Sequence, residues 1–328
     1  MSDPRNTPPT RSTSEAGIGW HFDAPVAPGG YRWWYVDGIS DCGRHAITLI
    51  AFVGSVFSPY YAARRRRNPV ADPHDHVSIN VALYPAGRRY WAMTERGHAA
   101  LSRRGGVLRI GRSSLEWDGT SLSASIDERM APWPSRMRGR VILTPEVLTP
   151  HVVALDVADR HRWMPMAPRA RIEVRFDEPN LRFCGHAYAD GNVGTEPLEN
   201  AFEGWQWSRG RRGRETLIHY AMQPRRAPPR TLSLSIDTDG RLRDVEPGVR
   251  ADLSGTFWGI DRHTQADRPS GAAILRTLES GPFYARSLVQ TTFGGAELTS
   301  VHESLSLDRF RSRFVQTLLP VRMPRRPT

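Results

Sequence analysis

The chain has 328 residues, 39% of them hydrophobic, and a formal net charge of +11. That length suits two antiparallel domains, each with a core of its own. The two cysteines, Cys42 and Cys184, stand far apart, which excludes a disulfide framework and a zinc pattern and points to a reduced, cytoplasmic setting.

Residues 1–18 are polar and predict a disordered lead, and Met1 to Gly19 lacks the apolar core of a secretory signal. Trp33 to Val36 predicts an early strand that enters a turn at Asp37-Gly38. Ala46 to Phe57 predicts a buried strand paired with it. This is the longest apolar run, but it contains Thr48, Gly54 and Ser55 and is too short to span a bilayer, so the protein is expected to be soluble or peripheral to a membrane. Arg64 to Asp75 reads as a charged, proline-containing loop. Within it His74-Asp75-His76 offers two imidazoles without an evident third ligand, so no metal is expected. Val77, Ile79, Val81 and Leu83 alternate with smaller or polar residues, which is the period of a half-buried strand. Val107 to Gly111 and Ser114 to Trp117 predict short strands before an Asp118-Gly119 turn, and Leu122 to Asp127 continues the meander.

Ala170 to Phe176 alternates again. Beyond residue 205, strands are expected at Thr216 to Met222 and at Leu232 to Ile236, the latter ending in a Thr238-Asp239-Gly240 hairpin turn. Ala285 to Thr292 and Ala296 to His302 flank a second hairpin signal at Gly294-Gly295, and Phe310 to Leu319 is expected to close the last sheet. No segment carries a 3.6-residue apolar stripe over three turns. With 28 Gly and 26 Pro, this pattern predicts an all-β protein of sandwich or barrel type. Similar strand density on the two sides predicts an N-terminal domain over 19–205 and a C-terminal domain over 206–328.

The most informative stretch runs from His186 to Trp207. Tyr188 and Asp190 are two apart, so in a strand both point to one face. Asn192 follows, and Trp205 and Trp207 come soon after. Gly185, Gly191 and Gly194 allow a sharp turn or a close approach to a ligand. A phenol and a carboxyl on one face, beside indoles, suit proton chemistry in an apolar cavity; a glycine-rich β-turn whose Asp190 and Asn192 bond their own backbone is the other reading. Asp261, in Phe257-Trp258-Gly259-Ile260-Asp261, is the next candidate carboxylate, with a strand end and turn as its alternative. Glu196 and Glu203 read as solvated or paired with arginines. His161, His186 and His219 read as surface or hydrogen-bonded residues rather than a cluster. There is no Walker A loop, no dinucleotide fingerprint and no Gly-x-Ser-x-Gly elbow. Arginine runs, densest at Arg64 to Arg67, suit nucleic acid or an anionic membrane. No nucleic-acid-binding motif accompanies them, which favours the membrane.

Two groups of residues carry a family likeness. Trp33-Trp34-Tyr35-Val36-Asp37 with Asp41-Cys42-Gly43 is one. Tyr188-x-Asp190-x-Asn192-x-Gly194, Glu196-Pro197-Leu198 and Trp205-x-Trp207 form the other. From about Gly19 to Leu319 the chain resembles the carotenoid 1,2-hydratases of phototrophic bacteria. The wider superfamily has Tyr-x-Asp-His-Asn-Trp-Gly; here Gly191 and Val193 replace its His and Trp. The resemblance implies two lipocalin-like β domains. It also implies hydration of the terminal double bond of an acyclic carotene such as neurosporene or lycopene, without a cofactor. The tertiary alcohol forms at C-1.

That chemistry asks for a strong acid in an apolar cavity, a cation stabiliser and one positioned water. On this reading Asp190 is the general acid and Tyr188 orients it or holds the water. Trp163 is the cation-facing indole, Asn192 bonds the acid or the water, and His186 relays a proton. The arginine-rich surface implies peripheral attachment to the photosynthetic or inner membrane, where carotenes reside. Two other readings use the same pocket: a non-catalytic carotenoid or lipid carrier, and an isomerase or cyclase that ends the cation by proton loss.

Overall fold

The computed structural model describes residues 11–13 and 20–326. The expected disordered lead over 1–18 therefore lies outside the described residues, except that Arg11–Thr13 forms a short strand beside His151–Ala154. The chain divides into two compact units, one ending at Pro197 and completed by residues from Thr317 onward, the other spanning Leu198–Gln316. Both are built from antiparallel sheet, and the protein is all-β, as expected.

In the first unit one sheet follows the path Tyr90–Met93, Val77–Tyr84, Ala46–Val53, Tyr31–Ser40, Leu181–Gly194, His161–Glu178, Arg136–Val147, Leu122–Arg129, Ser113–Trp117, Val107–Ile110 and Leu101–Arg104. Its apolar core draws on residues from both halves of this path: Val36, Leu49, Val81, Leu108, Leu115, Val141 and Ile172 are all buried together with Trp20, Phe22 and Trp34. A sheet can gather such distant strands around one core only by curling on itself.

Two local expectations change here. The first strand does not turn at Asp37-Gly38; it runs on to Ser40, and the reversal falls at Gly43, which takes φ 69°. Arg64 to Arg67 is not loop but the end of the helix Pro59–Arg67, capped by the Ser58 hydroxyl. Proline at the first turn and arginines in the last turn match the helix ends and its dipole. No apolar stripe announces this helix, because Arg65 is buried by laying its guanidinium over the Tyr61 ring.

In the second unit seven strands run Leu242–Asp244, Arg230–Ile236, Glu215–Pro224, Phe202–Arg212, Ala296–Ser306, Tyr284–Phe293 and Ala272–Ser280. The two hairpin turns stand where expected, with positive φ at Gly240, Gly294 and Gly295. The segment Phe310 to Leu319 does not close the sheet. It forms parts of the helices Leu307–Arg311 and Arg313–Arg322. Val315 and Leu319 are buried one helical turn apart, a spacing obscured in the sequence by Pro320 and the surrounding arginines.

Candidate active site

Tyr188, Asp190 and Asn192 lie in the second half of the fourteen-residue strand Leu181–Gly194, not in a turn. All three side chains are buried. The motif's glycines serve packing between strands. A Cβ on Gly185 would sit 2.0 Å from the Ile39 carbonyl oxygen, and one on Gly194 would sit 2.4 Å from the Tyr31 ring. The residues therefore let neighbouring strands close up at these points.

Alternation fixes which side chains share the site's face. In the neighbouring strand Tyr31–Ser40, Asp37 is opposite Tyr188, Tyr35 opposite Asp190, Trp33 opposite Asn192 and Tyr31 opposite Gly194. On the other side, Trp163 is opposite Asn192 and His161 opposite Gly194. The intervening residues Trp34, Val36, Ala187 and Ala189 join the apolar core instead. The sheet thus has two buried faces, one hydrocarbon and one lined by aromatics and acids.

Asp190 is the centre of the polar face. The Trp163 indole N–H donates to its Oδ2 at 2.8 Å, and the Tyr188 phenol donates to the same oxygen at 2.9 Å. Burial, and then the charge of Asp190, push the Tyr188 phenol well above its ordinary value. Tyr188 therefore stays protonated and remains a donor. Tyr35 packs edge-on against Tyr188, with ring centroids 6.3 Å apart, and donates its own hydroxyl to Asp37 Oδ2 at 3.0 Å. Beyond them Tyr31 stacks on Trp33 at 5.0 Å, and Trp33 meets Phe52 and Phe57.

Of the expected site residues, the sheet brings Asp190, Tyr188, Trp163 and Asn192 together. It does not bring His186. That residue shares the strand's alternation, but its side chain is 49% exposed and belongs with Arg171 and Asp41. The strand emerges from the buried region before it reaches His186. His161 takes the place beside the site instead. It is fully buried, shares a hydrogen bond of 2.9 Å with the Tyr31 hydroxyl and lies 3.5 Å from Glu196. Burial pushes its imidazole below the usual value, against the pull of Asp156 and Glu196. Its signal was the His161-x-Trp163 spacing, which sets both residues on one face of a strand. Asp37 was also overlooked as a site residue, although Tyr35-x-Asp37 repeats the spacing of Tyr188-x-Asp190.

The remaining candidates lie elsewhere. Trp205 and Trp207 belong to the strand Phe202–Arg212 of the second unit, where Trp205 meets Phe202 and Tyr220 edge-on. Glu196 is paired with Arg160 at 3.2 Å, as anticipated. His74 faces Asp72 and Arg103, whereas His76 faces Glu95, so the two imidazoles have separate partners. Asp261 gathers with Asp252 and His263 within 4.8 Å, a geometry that a cation could use. Arg250 already supplies positive charge there, 2.7 Å from Asp252 and 3.3 Å from Asp261.

The family model described as carotenoid hydratase CrtC matches residues 49–328. The chain belongs to the carotenoid hydratase family. It is 48% identical to the acyclic carotenoid 1,2-hydratase of Thiocapsa roseopersicina over 96% of this chain and 78% of that protein. It is 45% identical to the enzyme of the same name from Rubrivivax gelatinosus, over 93% of this chain and 76% of that one. In fold it is similar to kievitone hydratase from Nectria haematococca, with a TM-score of 0.52 at 7% identity, over 90% of this chain and 95% of the other. At that identity the likeness is one of fold alone. Among the described residues, no helix is long and apolar enough to cross a membrane.

Proposed function

We propose that the chain is an acyclic carotenoid 1,2-hydratase that adds water across the terminal C-1=C-2 bond of neurosporene or lycopene, with Asp190 as the general acid. The observation that carries this reading is the convergence of two donors on one buried carboxyl oxygen. An isolated alkene is a very weak base. An acid able to protonate it needs its conjugate base stabilised as the proton leaves. Trp163 and Tyr188 are positioned to do that, and being fixed by the sheet they need little reorganisation. Protonation at C-2 leaves a tertiary cation at C-1. The faces of Tyr31, Trp33 and Tyr35 offer it π-electron density, and water then captures it. Proton and water balance the reaction without a redox group or cofactor.

This reading alters one residue's task. The Trp163 indole N–H is committed to Asp190, so Trp163 acts first on the acid rather than as a cation face. Asn192 lies in the same row, two residues beyond the acid and across from Trp33. A carrier for hydrocarbon gains nothing from a buried acid held by two donors, because burying a carboxyl carries a desolvation penalty. That weighs against the carrier reading. Incubation with lycopene in detergent should give a product heavier by one water. A product of unchanged mass would instead indicate an isomerase or cyclase.

The carotene must come from a bilayer. Arg64, Arg66 and Arg67 are exposed at the end of the Pro59–Arg67 helix, and they suit an anionic lipid surface on the cytoplasmic side of the inner or photosynthetic membrane. Tighter binding to vesicles containing phosphatidylglycerol than to phosphatidylcholine vesicles at low salt is the expected result. Equal binding would remove this part.

A further inference from the structure

The antiparallel register sets two copies of one motif against each other. Tyr35-Val36-Asp37 and Tyr188-Ala189-Asp190 run in opposite directions, with Asp37 across from Tyr188 and Tyr35 across from Asp190. In each copy the tyrosine donates to the aspartate two residues on, at 3.0 Å and 2.9 Å. The result is a local two-fold arrangement of two phenols and two carboxyls on one buried face. Asp37 is 1% exposed and Asp190 5%. Asp37 lies near enough for its charge to contribute to holding Tyr188 protonated. A second buried carboxyl beside an acid is seldom needed for folding, since burial of a charge opposes stability. Paired carboxyls do serve a reaction that must give one proton and take another.

We propose that Asp37 is a further catalytic residue, the base that holds the water and takes its proton while Asp190 acts as the acid. The inference rests on the hydratase reading above. In the first step the Asp190 O–H bond breaks and the alkene π pair forms a C–H bond at C-2. Asp190 is left ionised and C-1 positive. In the second step a lone pair of the water oxygen forms the C–O bond at C-1. One water O–H bond breaks with its electrons remaining on oxygen, and the proton passes to the Asp37 carboxylate. One water has then been added, Asp190 has lost a proton and Asp37 has gained one. Tyr188 sits opposite Asp37 and is bonded to Asp190, so its phenol is the path by which that proton returns to Asp190 and resets the site. Tyr35 orients Asp37 as Tyr188 orients Asp190.

The test separates the two protons. Wild type, Asp37→Asn and Asp190→Asn are incubated with lycopene in heavy water, and both hydrated product and deuterium in the recovered substrate are measured by mass. Asp37→Asn should lower hydration by about 10²–10⁴-fold, the usual range for loss of a general base. It should still place deuterium at C-2 of recovered substrate, because Asp190 forms the cation and then takes a proton back. Asp190→Asn should lose both. Tyr35→Phe, which keeps the ring and removes only the donor, should repeat the split more mildly, at roughly 10-fold or more in hydration, the scale of one hydrogen bond to a charged group. Near-wild-type hydration by Asp37→Asn overturns the proposal while leaving the hydratase reading intact. So does a parallel loss of hydration and exchange in both the Asp37 and Tyr35 variants. An inactive wild type overturns the hydratase reading, and this proposal with it.

Discussion

Tyr188→Phe isolates one of the two donors on Asp190. The ring, its full burial and its edge contact with Tyr35 are retained; only the hydroxyl that donates to Asp190 Oδ2 at 2.9 Å is lost. A hydrogen bond to a charged group contributes about 1.5–3 kcal/mol. On the proposed mechanism that bond strengthens as Asp190 becomes a carboxylate, so the loss falls on the transition state. At about 1.4 kcal/mol per factor of ten, kcat should drop by roughly 10- to 150-fold. Substrate binding should change little, because the hydroxyl points at the acid. The assay is hydroxycarotenoid formation followed by chromatography across substrate concentrations, with near-ultraviolet circular dichroism to confirm the fold. A kcat within two-fold of wild type in a folded variant would refute the claim that Tyr188 stabilises the departing proton's carboxylate.

Burial holds the imidazoles of His219 and His302 down to about 4 in the folded second unit. Their unfolded value is about 6.5, so the unfolded chain binds more protons between those limits. Stability should be intact above about pH 6.5 and fall as pH drops toward 4, by on the order of 3 kcal/mol for each residue; a melting temperature unchanged across that window in wild type would contradict this. The Cys42 thiol is brought down to about 7, chiefly by the Ser40 hydroxyl and then by Arg44. Iodoacetamide labelling of Cys42 should therefore reach half its maximal rate near pH 7 and shift upward in Ser40→Ala, and an unshifted profile would exclude Ser40 as the cause. Gly185→Ala places a methyl 2.0 Å from the Ile39 carbonyl oxygen, where only backbone can give way. A loss of about 3 kcal/mol in chemical denaturation is expected; a neutral result would mean the two strands separate easily.

The site was legible in the sequence wherever it depended on alternation within one strand. Tyr188, Asp190 and Asn192 share a face because side chains in a strand repeat every second residue, and that needs no knowledge of the fold. Trp163 was chosen as an indole to face the cation, and its bond to Asp190 depends on the pairing of His161–Glu178 with Leu181–Gly194. Asp37 was hidden for a related reason. Its strand precedes the Tyr188 strand by more than a hundred residues, and no local pattern tells which distant strands will be neighbours. His186 misled because alternation predicts direction but not where a strand leaves the buried region. The fold's β character followed from alternating runs and turn glycines. Its helices were missed where arginines cover them: Pro59–Arg67 buries Arg65 against Tyr61, and Arg313–Arg322 carries arginines and an internal Pro320.

The measurement that bears most directly on the central claim compares wild type with Asp190→Asn on lycopene or neurosporene in liposomes made up in heavy-oxygen water. The account predicts a wild-type product carrying one labelled oxygen, and a folded Asp190→Asn variant that forms none. Substantial labelled product from Asp190→Asn would contradict the assignment of the acid. A wild-type protein that retains carotenoid but forms no product would contradict the hydratase reading itself and favour a carrier.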